Sequence, residues 1–172
     1  MRVLAPLALL AIIGGCVAPR PSAPPPPRAL PQPVQPPAPA PVAADWRDLP
    51  YSPGTWTYRR DPRGSIAMFG PAGSIAALTL RCDLSARQIY LSRAGATPTP
   101  LTIRTSSTTR ALTVQPTGAT PAYVAAALAV SDPILEAMAF SRGRFVIAHG
   151  GRPTLVVPAW AEIGRVTEDC RV

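Results

Sequence analysis

Proline is distributed so unevenly along this chain that it limits where folded structure can begin. Half of the 24 prolines lie in the 28 residues from 17 to 44. Because proline lacks a backbone N–H and has a fixed φ, this density excludes helices and internal β-strands and favours extended polyproline II. We expect a linker, which would reach on the order of 80 Å at about 3.1 Å per residue. The alternative role for such a segment is a ligand for aromatic grooves.

The remaining residues, 45–172, have the length of one domain with its own hydrophobic core. Short stretches with alternating apolar residues are separated by turn sequences such as DPRG and GPAG, a pattern typical of β-strands. Residues 121–130 are ambiguous because their alanines favour helix, but their position between strands leads us to expect a strand. The sequence predicts a mainly β (α+β) domain, with an antiparallel β-meander forming a sandwich or a partly open barrel.

Two helices and a hairpin complete the predicted domain. In SDPILEAMAFSRG, Asp132 can cap a short helix, Pro133 suits its first turn and Gly143 can end it. The stretches on either side of Gly150 and Gly151 should pair as a hairpin with a two-residue turn, in which both glycines have positive φ. A second helix is expected after the last strand, at the C-terminal end of the domain.

Cys82 and Cys170 are predicted to form a disulfide bond. Strand alternation places Leu78, Leu80 and Cys82 on one face, and helical periodicity places Cys170 on the apolar side of the last helix. Both thiols therefore face the core, where an oxidising compartment would join them. The alternative is two separate buried thiols. We expect no metal site, because the distant His149 is the only histidine.

The beginning of the chain has the pattern of a secretion signal. Arg2 precedes an apolar run over residues 3–13, which is too short to span a bilayer because that requires about 20 residues. The next four residues are Ile13-Gly14-Gly15-Cys16. They resemble the lipobox of bacterial lipoproteins, in which an aliphatic residue and two small residues precede a cysteine.

This resemblance implies a lipid anchor. Residues 1–15 would be a signal peptide that is removed, and Cys16 would carry diacylglycerol and a further acyl chain such as palmitate. Residues 16–44 would then be the lipidated linker, and residues 45–172 would face the periplasm. Several acyl chains on one residue anchor a protein firmly to a membrane. Val17, where inner-membrane lipoproteins of enterobacteria have aspartate, implies the outer membrane.

The charge of the chain favours anionic partners. All 17 basic residues are arginine, and the formal net charge is +8. Such a surface suits lipopolysaccharide phosphates or an acidic protein, whereas nucleic acid would fit the charge but not the compartment. Arg59, Arg60 and Arg63 cluster at the first hairpin, and we consider them candidate anion-binding residues because arginine binds phosphate and carboxylate bidentately. The alternative is a solvated turn.

No motif indicates catalysis. His149 lacks the Gly-x-Ser-x-Gly context of a hydrolase, the nine acidic residues are scattered, and no glycine loop has the setting that binds nucleotide phosphates. We therefore expect neither an enzyme nor a cofactor. Trp46, Trp56 and Tyr58 would either form a binding surface or pack the end of the domain.

The order of the last elements is a helix, an Arg-Gly pair, a hairpin and a helix that ends in a cysteine. This order and the early tryptophan resemble periplasmic proteins of the invasion-associated locus B family. The resemblance implies a secreted β domain with a disulfide bond but no activity. The chain is equally similar to small envelope lipoproteins of alphaproteobacteria.

Three functions remain as hypotheses. The first is a lipid-anchored, non-catalytic domain that binds an envelope protein as an adaptor or inhibitor. The second is a structural protein whose basic surface rests on lipopolysaccharide or murein. The third is a hydrolase that depends on His149.

Overall fold

The computed structural model describes residues 45–171, and the predicted signal peptide, lipidated Cys16 and linker lie outside this range. The domain is mainly β, as the sequence predicts, with two antiparallel sheets and two helices. No helix within the described residues has the length and apolar character needed to cross a membrane. The strands are β1 Thr55–Asp61, β2 Gly64–Gly70, β3 Leu78–Asp83, β4 Gln88–Ala94, β5 Leu101–Arg104, β6 Thr109–Leu112, β7 Gln115–Pro116, β8 Tyr123–Ala129, β9 Arg144–His149 and β10 Leu155–Pro158, and the helices are α1 Pro133–Ala139 and α2 Ala161–Asp169.

The two sheets remain separate and do not close into a barrel. The larger sheet has the order β1-β2-β3-β4-β8-β7, and the smaller has the order β10-β9-β5-β6. The first four strands form the predicted meander, since each pairs with the next one along the chain. The chain then crosses to the smaller sheet for β5 and β6 before it returns to the larger one for β7 and β8.

One hydrophobic core lies between the two sheets and α2. Leu78 and Leu80 of the larger sheet share it with Phe145 and Ile147 of the smaller sheet. Residues 121–130 contain β8, as expected from their position. Alternate residues of β8 face the core although alanines make up much of the strand. Alternation of burial therefore decides the structure here, against the helical preference of alanine.

The β9–β10 hairpin has a longer connection than predicted. Gly150 and Gly151 are the central residues of a turn in which the Arg152 N–H donates to the His149 carbonyl (3.1 Å). Only Gly151 has a positive φ, 73°. Pairing between β9 and β10 stops at Ile147, whereas on its other edge β9 continues to pair with β5 through Ala148 and His149. The predicted two-residue connection was therefore wrong.

Candidate functional sites

The disulfide bond joins Cys82, at the centre of the larger sheet, to Cys170, at the C-terminal end of α2. Their Cα atoms are 5.4 Å apart, and both residues are buried. Helix α2 packs on β2 and β3, so the bond fixes the helix to the strands that it covers. The pairing predicted from the two sequence periodicities is confirmed.

The predicted arginine cluster does not form one open anion site. Arg60 lies 2.6 Å from an oxygen of Asp169, and Arg63 lies 2.5 Å from an oxygen of Asp83. Arg59 is exposed and forms no ion pair among residues 45–171. Two of the three guanidinium groups therefore bind carboxylates of the domain itself, which leaves Arg59 as the member available to a ligand.

These ion pairs stabilise the charged form of the carboxylates. The hydrogen bond from Arg63 lowers the pKa of Asp83 far below its ordinary value, and hydrogen bonds from the Ser85 hydroxyl and the Ala86 backbone N–H lower it further. Arg63 is in turn held in its charged form by Asp83, which raises the pKa of the guanidinium. An external anion would have to compete with a carboxylate that is permanently ionised at neutral pH.

The remaining charges are unevenly paired. Six of the nine acidic residues form an ion pair with an arginine within the described part of the chain. The three that do not are Asp48, Glu162 and Glu168. The arginines of residues 45–171 that lack a carboxylate partner are Arg59, Arg87, Arg93, Arg104, Arg142, Arg144, Arg152 and Arg165.

Two members of this group, Arg93 and Arg152, lie on neighbouring segments, because Arg93 contacts the carbonyl of Pro153, the residue after Arg152. Arg93 is only 4% exposed, and its two Nη atoms donate to the carbonyls of Ala77 (2.9 Å) and Pro153 (3.3 Å). Burial lowers the pKa of Arg93, and the charge of Arg152 lowers it further. Sequence analysis missed Arg93. The signal was nevertheless present, because strand alternation places this residue on the inward face of β4.

His149 is also buried, with 3% of its surface exposed. Its Nε2 lies 2.9 Å from the carbonyl oxygen of Thr97. Since a carbonyl only accepts hydrogen bonds, Nε2 carries a proton, and in the singly protonated tautomer of the ring Nδ1 is an acceptor. Nδ1 has no hydrogen-bond partner among residues 45–171.

Gly95 lies between strand β4 and the side chains of Arg152 and His149, which both approach it closely. A Cβ at this position would lie 3.1 Å from Cδ of Arg152 and 3.5 Å from Cε1 of His149, so both side chains lie against the glycine. The hydroxyl of Thr99, in the connection between β4 and β5, lies next to Gly150. We call Arg93, Thr99, His149 and Arg152 the Arg93–His149 cluster.

The two candidate tryptophans, Trp46 and Trp56, contribute to packing. Trp56 is buried in the main core, and its Nε1 donates to the Pro158 carbonyl (2.9 Å). Trp46 is buried against Val146 and Val156 on the outer side of the smaller sheet. The structure thus supports the second of the two roles expected for these residues.

A different aromatic pair is exposed. Phe140, which follows α1, is 81% exposed, and Trp160, which precedes α2, is 49% exposed. A groove of about 490 Å³ lies on one side of Phe140 and is lined by Ile134 and Ala137 among others. A second groove of about 300 Å³ lies between Phe140 and Trp160, above Gly164. We call Phe140, Trp160 and these two grooves the helix surface.

Comparison with known proteins gives no relative from which to transfer a function. No family model matches the chain, and no curated protein or solved structure is significantly similar to it. Within residues 45–171, no three side chains of His, Cys, Asp or Glu lie close enough together to hold a metal ion.

Proposed function

We propose that this protein is anchored to the bacterial cell envelope by lipid on Cys16, and that its domain is a non-catalytic module that binds another envelope protein. The resemblance of residues 13–16 to a lipobox supports the anchor, and Val17 supports an outer-membrane location. The Cys82–Cys170 bond supports an oxidising compartment such as the periplasm, because disulfides are rare in the reducing cytosol.

The observation that carries the binding role is the exposure of Phe140. Phe140 is 81% exposed and lines two grooves, and an exposed aromatic residue beside grooves is typical of protein interfaces. Burying a phenylalanine side chain contributes about 1.5–3 kcal/mol. The domain has its own complete core, so Phe140 gains this energy only in contact with a partner.

Charge around the helix surface indicates the chemistry of the partner. The protein is basic overall, yet two of the three acidic residues without an arginine partner in residues 45–171, Glu162 and Glu168, lie on α2. Glu168 lines the groove between Phe140 and Trp160. Arg165 lines the same groove, so the groove carries both charges. The surface therefore fits a protein segment that presents apolar side chains with charged residues beside them.

Photo-crosslinking tests this function directly. A crosslinking amino acid at position 140 of the full chain should join one defined protein in intact cell envelopes. The matched control is position 75, since Ile75 is also apolar and 59% exposed but lies in the β2–β3 connection. The partner, once purified, should bind Ile75→Ser as tightly as the unaltered protein and bind Phe140→Ser at least tenfold more weakly at high salt. Equal affinity of the two variants would contradict the role of the helix surface.

A structural role on lipopolysaccharide or murein is the second candidate. It is favoured by the eight described arginines that have no carboxylate partner. Binding to these polymers through exposed charges should weaken strongly as salt is raised, because exposed charges are screened. Retention of lipopolysaccharide at low salt only, with no protein joined from position 140, would favour this role.

A further inference from the structure

The Arg93–His149 cluster contains an unusual concentration of unsatisfied polar atoms. Within the described residues, six buried side-chain nitrogen or oxygen atoms have no hydrogen-bond partner. Three of them are Arg93 Nε, Thr99 Oγ1 and His149 Nδ1. They come from β4, from the connection that follows it and from the end of β9, which is distant in sequence from the other two. Arg93 contacts the Pro153 carbonyl and Thr99 lies against Gly150, so the three side chains lie on neighbouring segments around the β9–β10 connection. Buried groups of this kind are normally satisfied, so this grouping indicates a ligand.

The charge in this region indicates an anion. Arg93 is 4% exposed, and Arg152 lies near enough to affect its ionisation, but no carboxylate of residues 45–171 pairs with either arginine. A buried charge without an opposite charge is costly. Other described arginines without a carboxylate partner, such as Arg59, are at least partly exposed to solvent, whereas Arg93 is buried, so the cost of the unpaired charge is greatest here.

We propose that the Arg93–His149 cluster binds a phosphate group that still carries one proton. Arg93 Nε, the Arg152 guanidinium and the Thr99 hydroxyl are hydrogen-bond donors, as phosphate oxygens require. With Nε2–H donating to the Thr97 carbonyl, the singly protonated tautomer of His149 has its acceptor at Nδ1. A P–OH group donates to such an atom. Sulfate has the same shape but no proton at neutral pH, so it leaves His149 Nδ1 unpaired.

Arg152 is the residue of the cluster that a ligand can reach from solvent. It is the exposed member, and it directly follows the Gly150–Gly151 turn. Its side chain lies against Gly95 and beside His149. An incoming phosphate therefore meets this guanidinium first, beside the buried donors.

Calorimetric titration of the oxidised full chain, with Cys16→Ser to remove the proposed lipid site, tests the assignment. Sodium phosphate at pH 7 should bind at least tenfold more tightly than sodium sulfate at equal ionic strength, because sulfate lacks the proton for His149. Arg152→Gln should weaken phosphate binding about tenfold, which is the typical effect of losing one charged hydrogen bond. Arg59→Gln is the matched control: it removes an exposed arginine without an ion pair and should not alter the affinity. Equal affinity for the two anions, or equal effects of the two variants, would overturn the assignment.

Vesicles distinguish a free phosphate from a lipid headgroup. Phosphatidylcholine vesicles with phosphatidic acid present a phosphate monoester, which is partly protonated near pH 6, whereas phosphatidylglycerol presents a diester without a P–OH. Retention on the monoester alone, with release by inorganic phosphate, identifies a lipid source. Binding of inorganic phosphate without retention on either vesicle identifies a free phosphate. Equal retention on both vesicles, with no binding of inorganic phosphate, would show attraction by charge alone and refute the site. Phe140→Ser should bind phosphate normally, so this result is separate from partner binding at the helix surface.

Discussion

Asp132 shows how one side chain connects a helix to a neighbouring strand. Its carboxylate accepts from the Ile134 backbone N–H (2.9 Å), which caps α1, and forms two hydrogen bonds with Arg110 of β6 (2.6 and 3.0 Å). Burial raises the pKa of Asp132, but the hydrogen bonds from Arg110 and Ile134 outweigh this effect, so the pKa is lowered. The cap and the ion pair are therefore coupled through one group.

Two substitutions at this position separate the cap from the ion pair. Asp132→Ala should lower the free energy of unfolding by about 1–2 kcal/mol, of which roughly 1 kcal/mol is the lost cap and the rest is the partly exposed pair with Arg110. Asp132→Asn should cost less, because asparagine caps a helix as well as aspartate does. Urea unfolding of both variants measures the difference. Equal losses would show that the cap contributes nothing beyond the ion pair.

Local residue chemistry was predictable, and long-range pairing was not. The cap at Asp132 could be predicted from its neighbours in the sequence, such as Pro133 in the first turn, and the structure confirms it. The pairing of Arg60 with Asp169 joins residues 109 positions apart, which no short motif encodes. The Arg93–His149 cluster was missed for the same reason, because its members meet only when β4, β9 and their connections are assembled.

Strand alternation predicted most elements because it reflects burial directly. For residues 121–130, where the alanines favoured a helix, their position between strands correctly favoured a strand, and the alternating burial of β8 explains this result. Strand alternation could not predict the β9–β10 connection. There the two glycines suggested a two-residue turn, but β9 and β10 pair only as far as Ile147 and Leu155, which leaves a longer connection. Pro153 lies in this connection and has no backbone N–H with which to continue the pairing toward His149.

The disulfide bond should account for much of the attachment of α2. It closes a loop of 88 residues between Cys82 and Cys170, and it removes conformational freedom from the unfolded chain. Replacing both cysteines with alanine should lower the free energy of unfolding by about 2–4 kcal/mol, as measured by guanidinium denaturation. Dithiothreitol should destabilise the unaltered protein to a similar extent and leave the double variant unchanged. A double variant as stable as the oxidised protein would show that packing alone holds the helix.

At the scale of the whole molecule, the acidic residues stabilise the fold and the excess arginines remain for other partners. Five aspartates have lowered pKa values: Asp45, Asp61, Asp83, Asp132 and Asp169. Each of them also forms an ion pair with an arginine. These acidic residues therefore pair with arginines within the domain. Both binding surfaces that we propose depend on groups outside these pairs.

This arrangement predicts that acid destabilises the domain. A carboxylate whose pKa is lower in the folded state contributes stability above its unfolded pKa of about 3.9, and this contribution is lost as the pH falls through the folded value. The free energy of unfolding, measured with urea at constant ionic strength, should therefore decrease from about pH 5 to about pH 2. Asp83→Asn should show a shallower decrease, because hydrogen bonds from Arg63, Ser85 and Ala86 shift this group far below its ordinary pKa. Asp48→Asn, which removes a negative charge but no ion pair, is the matched control for net charge. If Asp83→Asn kept the full pH dependence of the unaltered protein, the Arg63–Asp83 pair would not be a source of stability, and Arg63 would be free to bind an external anion after all.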